Sequence, residues 1–183
     1  MKNNKYIISM ILPIIILIGM TITPLMTYCK GDEIIINTKP YDPRDFFRGD
    51  YVYLNYDIND ISLDQIPDGL IAKDSYYQEK LEDKKLYVVL KKEGGIHKVD
   101  YLTDKKPKNK IYLKAKYNHT ITDWEEKKEN EKENIIGIRV SYNLDKYFVE
   151  ENTGANLEDK SREGTLKAKV KVYNGYSLLI DVF

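Results

Sequence analysis

The sequence holds one cysteine, one tryptophan and two histidines, and each scarcity removes a class of protein. A lone Cys29 has no partner for an internal disulfide, so the folded body must be held by its core. His97 and His119 stand far apart on polar sequence without ordered carboxylate companions, so no metal site is expected. No glycine-rich phosphate loop occurs, and no cofactor is expected. Net charge is missing too, with 29 basic and 29 acidic residues. Setting aside Lys2 and Lys5 leaves 27 basic residues against 29 acidic, a balance that gives no reason to expect nucleic acid. Lys105, Lys106, Lys108 and Lys110 read as a solvated loop rather than a phosphate track. After residue 30, no apolar stripe recurs with a 3.6-residue period over a helical length.

What the chain does have begins at its N-terminus. From Tyr6 to Cys29 it carries no charge and is dense in Ile, Leu and Met. Roughly 20 apolar residues make a helix long enough to cross the hydrocarbon core. Pro13 and Pro24 are tolerable in such a helix. Three readings compete: an uncleaved anchor, a cleaved signal, and a lipoprotein lipidated at Cys29. The run is longer than the roughly 7–15 residues of a signal core, and no small-residue cleavage pattern precedes Lys30. Tyr28 stands where a lipoprotein would carry a small residue. The anchor reading is therefore the expectation. Lys2 and Lys5 lie before the span, while Asp32 and Glu33 follow Lys30 at once. Basic flanks are retained in the cytoplasm, so the N-terminus is expected inside. Residues 1–30 are then a membrane anchor and residues 31–183 one extracytoplasmic domain.

That domain reads as sheet. Sixteen tyrosines against four phenylalanines suit half-buried pleated surfaces, where the ring packs and the hydroxyl stays wet. Apolar residues alternate at Ile136, Ile138, Val140 and Tyr142, at Ile111, Leu113, Ala115 and Tyr117, and at Leu86, Val88 and Leu90. The expected fold is all-β: a single antiparallel barrel or sandwich-like domain of about eight strands after one transmembrane helix. At the C-terminus, keeping one face apolar favours a three-residue loop, Tyr173-Asn174-Gly175, pairing Val172 with Tyr176 and Val170 with Leu178. Asp123 to Asn134 is polar on every side apart from Trp124, and reads as a solvated helix or a loop.

The most distinctive stretch runs from Lys39 to Ile58. Pro40 and Pro43 disfavour helix, and Gly49-Asp50 suits a tight turn before a strand. The strand's inward row should be Val52, Leu54, Tyr56 and Ile58, with Tyr51, Tyr53 and Asn55 opposite. Gly49-Asp50-Tyr51, then Leu54 and Tyr56, resembles the signature of the GDYXXLXY family. Asp42-Pro43-Arg44-Asp45 and Arg48 resemble that family's approach to the motif, and Tyr147-Phe148-Val149-Glu150 its later block. Where this chain has Asn143, Asp145 and Glu150, the family tends toward glycine, glutamate and proline. The resemblance implies a membrane-anchored bacterial protein of unestablished activity, often encoded beside multispanning membrane proteins, and it supplies no catalytic residues.

No catalytic constellation assembles from the sequence. Bacterial signal peptidases also place a Gly-Asp turn before a strand, but Tyr41 occupies the place of their serine. The expected role is therefore non-enzymatic: the domain binds or assists a neighbouring membrane or envelope protein, such as a multispanning partner. Arg44, Arg48, Asp50, Tyr51 and Tyr53 are the expected binding residues, because Arg and Tyr are frequent interface anchors. The alternative is an envelope glycan hydrolase using acidic residues such as Asp145, Glu150 and Glu151. A barrel-interior carrier of lipid or small molecules is a third possibility.

Overall fold

The computed structural model describes residues 3–39, 51–72, 78–82, 84–123, 134–148 and 166–183. Helix α1 (Asn3–Lys30) is followed by strands β1 (Asp32–Lys39), β2 (Tyr51–Tyr53), β3 (Asn55–Tyr56) and β4 (Asp60–Ser62). A one-turn helix, α2 (Glu79–Glu82), precedes β5 (Leu86–Glu93), β6 (Ile96–Thr103), β7 (Tyr112–Asp123) and β8 (Asn134–Ser141). The chain ends with β9 (Lys146–Phe148), β10 (Lys167–Tyr173) and β11 (Tyr176–Val182). One sheet has the order β11-β10-β1-β3 and another β4-β8-β7-β5-β6, with β2-β9 as a separate ribbon. Every pairing is antiparallel. The all-β expectation holds, and nine strands make the two larger sheets.

Among the described residues, no ladder closes these sheets into one barrel. Among their junctions are two hydrogen-bonded seams. The buried imidazole of His97 on β6 accepts a 3.2 Å hydrogen bond at Nδ1 from the Ile35 N–H on β1. At the other seam, Lys114 N–H on β7 donates to the Gly175 carbonyl at 2.9 Å. Between the sheets lies one core that includes Ile34, Ile36, Ile61, Leu113, Ile138 and Val170. Alternation supplies these residues, since each strand sends every second side chain inward.

The alternation slips where the ladders carry bulges. Ile136 is 45% exposed, whereas Ile135 and Ile138 are buried. The partner register jumps between Ile121 and Thr122, leaving Ile136 as the extra residue that changes phase. The expected row beginning at Ile136 therefore holds only from Ile138 onward.

The C-terminal hairpin also corrects the sequence reading. Tyr173 pairs with Tyr176, Val172 with Ser177 and Lys171 with Leu178. The turn is thus the two-residue Asn174-Gly175, and the three-residue loop is not formed. Asn174 (φ 50°) and Gly175 (φ 76°) both take left-handed backbone, as a two-residue hairpin turn of matching twist requires. Leu178 shares a face with Lys171; both are half-buried, and α1 contacts both β10 and β11. A bulge between Lys169 and Val170 then returns Val182 to its place opposite Ala168.

Helix α1 includes an apolar span over Ile8–Lys30, exposed from Ile8 to Thr23. Its 23 residues extend about 35 Å, enough for a hydrocarbon core of about 30 Å. Its C-terminal end is seated on the body. Thr27 is fully buried, Gly31 N–H donates to the Thr27 carbonyl at 2.9 Å, and Lys171 Nζ donates to the Tyr28 carbonyl at 2.5 Å. The same ammonium lies 4.9 Å from the centre of the Tyr28 ring.

Candidate functional site

The motif strand is split by a kink at Leu54. Before it, β2 pairs with β9, matching Tyr51 to Phe148, Val52 to Tyr147 and Tyr53 to Lys146. The two sequence blocks that carry the family resemblance, far apart in the chain, are therefore neighbours in one ribbon. After the kink, β3 turns to pair with β1, and a 3-10 turn over Asp57–Asn59 replaces the expected continuation of the strand. Leu54, Tyr56 and Ile58 are buried as the inward row requires.

The motif's last two named positions clasp the segment between β8 and β9. Leu54 N–H donates to the Asp145 carbonyl at 2.8 Å. Tyr56 donates its phenolic hydrogen to the Leu144 carbonyl at 2.7 Å. In that segment Asn143 adopts φ 56°, the left-handed backbone that glycine takes most freely and asparagine tolerates. A second phenol works in the reverse direction, with Tyr142 donating to the Ile58 carbonyl at 2.5 Å. Asn59 accepts from Tyr56 N–H at 2.7 Å and donates to the Val140 carbonyl at 2.8 Å. A cavity of about 300 Å³ opens beside this lattice, lined by Leu54, Tyr56, Asn59, Arg139, Tyr142 and Asp145, among others.

Behind it sits an ion cluster. Arg139 on β8 grips Asp60 on β4 through Nε at 2.6 Å and Nη2 at 2.9 Å. Lys39, at the end of β1, reaches the same carboxylate at 2.5 Å. Partial burial pushes the Asp60 carboxyl up, but hydrogen bonds and charge from Arg139 and Lys39 outweigh it and hold the group below the usual carboxylate range. Burial, with a smaller contribution from Asp145, raises the Tyr56 phenol. Burial and the charge of Asp60 raise Tyr142 in the same way. Both phenols keep their protons, and both are already spent on carbonyls. The cluster therefore spends both phenols on structural bonds. Its chemistry is that of a clasp joining β1, β3, β4 and β8.

Of the binding residues expected from sequence, Arg44, Arg48 and Asp50 lie outside the described residues, as does Gly49 of the motif. Tyr51 and Tyr53 lie on β2, in ladder with β9. Among the acidic residues of the alternative reading, Asp145 is exposed, and Glu150 and Glu151 are outside the described residues. His97 is a buried seam residue and His119 is exposed on β7. Among the described residues, no group of three His, Cys, Asp or Glu side chains could hold a metal. Sequence reading missed the Lys39–Asp60–Arg139 cluster, whose members are scattered from residue 39 to 139 and follow no spacing rule. It also missed a larger concavity, of about 830 Å³, lined by Lys84, Lys85, Lys106, Lys114 and Lys116, with Glu82 as the one acidic residue among its described lining. These come from three separate segments, so local charge runs gave no sign of it.

Fold and site together define a class: an antiparallel β body carried on an N-terminal apolar helix, with its motif strand built into the core. Over residues 13–182 the chain matches the family described as GDYXXLXY protein, and it belongs to that family. No curated protein and no solved structure matches it.

Proposed function

We propose that this is a single-pass membrane protein of a bacterial envelope, with residues 1–30 as an uncleaved anchor and residues 31–183 as an extracytoplasmic domain. In this reading the N-terminus is cytoplasmic, and the domain binds or assists a neighbouring membrane or envelope protein without catalysing a reaction. The observation that carries it is the apolar helix, long enough to span yet unburied, whose last turn is seated on β10 and β11. Cleavage after the span would discard Thr27 and Tyr28, which supply the buried side chain and the lysine-capped carbonyl of that seat. A partner in the same bilayer would then meet the body in one fixed orientation. Arg44, Arg48, Asp50, Tyr51 and Tyr53, the charged and aromatic residues at the motif, are the ones we assign to that contact.

Crosslinking in intact membranes, followed by mass spectrometry of the full chain, tests the reading. Expected are an unprocessed N-terminus and a crosslinked membrane neighbour whose yield falls in Arg48→Ala and Tyr53→Ala. A mature chain beginning after Cys29, or recovery of the intact protein without any neighbour, would overturn it.

A further inference from the structure

The lysine-lined concavity lies beside the point where the helix meets the body. Gly31, one residue past α1, is packed so tightly that a Cβ there would strike the Thr27 carbonyl and come within 3.1 Å of the Val172 nitrogen. Val172 is two residues, about 7 Å of strand, from Asn174, and Asn174 lines the concavity. The next residue, Gly175, receives the Lys114 N–H in its carbonyl, and the Lys114 Cγ would lie 3.1 Å from a Cβ on that glycine. Membrane exit, hairpin turn and lysine cluster thus follow one another through direct contacts.

Among the described residues, most lysines of this concavity have no ion-pair partner. Lys84 pairs with Asp104 at 3.5 Å. Lys85, Lys106, Lys114 and Lys116 make no ion pair among the described residues. Elsewhere on the body Lys91 and Lys98 are matched by Glu93 and Lys110 by Asp100. Ser141, Asn143 and Asn174 add neutral hydrogen-bonding groups to the wall. Five lysines around one hollow, against one acidic residue of its described lining, give it a positive potential that a multiply accepting anion lowers.

We propose that this concavity binds the phosphate of an anionic phospholipid headgroup in the leaflet from which α1 emerges. The inference rests on the anchor reading above, because only a spanning α1 brings the hollow to the headgroup layer. Position selects the ligand: basic side chains close to a charged bilayer surface gain from it, and the gain fades within a Debye length. Lysine suits the task, since its flexible stem delivers a point charge to a phosphate of variable position.

Native mass spectrometry of the full chain in mild detergent, with added phosphatidylglycerol or phosphatidylcholine, tests the site. Phosphatidylglycerol adducts should appear at concentrations at least tenfold lower than phosphatidylcholine adducts. The double change Lys114→Glu with Lys116→Glu should abolish that difference, whereas Lys91→Glu with Lys98→Glu should preserve it. Lys85→Glu with Lys106→Glu provides a second disruption if the first pair fails to fold. Equal retention of the two lipids, or no response to either lysine pair, overturns the proposal. Free glycerol phosphate competing as well as the lipid would reassign the site to a soluble anion and overturn it too. Flotation with phosphatidylcholine vesicles separates the two levels. A chain that does not float sinks the anchor reading, and one that floats without anionic preference sinks only the headgroup site.

Discussion

The phenol of Tyr56 donates a 2.7 Å hydrogen bond to the carbonyl of Leu144, 88 residues away in sequence. The ring is 1% exposed, so water cannot replace the bond if it is lost. Tyr56→Phe keeps the ring and orphans the carbonyl, which should cost about 1–2 kcal/mol. Tyr56→Ala also empties the ring's volume and should cost about 3–5 kcal/mol. For a body of this size, the first change lowers the thermal midpoint by a few degrees (roughly 2–4 °C per kcal/mol). Equal midpoints for Tyr56→Phe and wild type would contradict the clasp.

The Asp60 cluster makes a separate prediction with a pH signature. Because the Asp60 carboxyl is held below its ordinary 3.8 in the folded protein, its contribution is complete above about pH 4. It is lost as pH falls through the lower folded value. Asp60→Asn leaves Arg139 and Lys39 facing an amide, at a cost of about 1–2 kcal/mol. Solvent limits the effect, since the Lys39 side chain is 36% exposed. Urea denaturation at pH 7 should show the loss. The gap between variant and wild type should narrow at pH 3. A gap that stays constant across this range would show that Asp60 contributes nothing as a carboxylate.

His97 titrates in a different window. Burial, helped by the charge of Lys92, depresses the imidazole below its ordinary 6.5. Nδ1 accepts from Ile35 N–H, so the neutral ring carries its proton on Nε2. Protonation converts the acceptor into a donor and breaks the β1–β6 seam. With a lowered folded value, the stabilisation is present above about pH 6.5 and declines as pH drops through the folded value. Asp57, Asp60 and Lys98 line the small cavity that His97 also lines. His97→Gln keeps an acceptor without titrating. Wild type should therefore lose thermal stability between pH 7.5 and 5.5, while His97→Gln changes much less. Parallel curves for the two proteins would remove His97 from any pH response.

Alternation made much of the fold legible. Leu86, Val88, Leu113 and Ala115 point inward as their spacing predicts, because a strand's side-chain period does not depend on its neighbours. Features that depend on neighbours were not legible. The Asn174-Gly175 turn runs against the one-wet-face argument, and α1, which contacts β10 and β11, lies far from this hairpin in sequence. Ile136 leaves its row because a bulge on the β7–β8 ladder changes the phase. At the site, Leu54 and Tyr56 could be read as buried, but the clasp on Leu144 and Asp145 could not, since no local pattern names a carbonyl partner 88 or 91 residues away. Lys106 looked like part of a solvated loop until the fold brought Lys84, Lys85, Lys114 and Lys116 to the same hollow.

The joint between helix and body offers the last prediction. Gly31 has no room for a side chain: beyond the Thr27 carbonyl, a Cβ would meet the Val172 nitrogen at 3.1 Å and its carbonyl oxygen at 3.2 Å. All of these are backbone atoms, so no rotamer change relieves the clash. Gly31→Val must therefore push the last turn of α1 off β10, releasing the Lys171 ammonium from the Tyr28 carbonyl and uncovering Thr27. Asp32 still pairs with Val172 one residue further on, so the sheet itself has reason to persist. The expected outcome is a loosened tether on a folded body. Trypsin should cut after the exposed Lys30 several-fold faster in Gly31→Val than in wild type, while the thermal midpoint of the body shifts by only a few degrees. Lys171→Ala removes only the cap on the Tyr28 carbonyl and should give a smaller acceleration. Identical cleavage rates in all three proteins would mean that the helix end is not seated on the sheet.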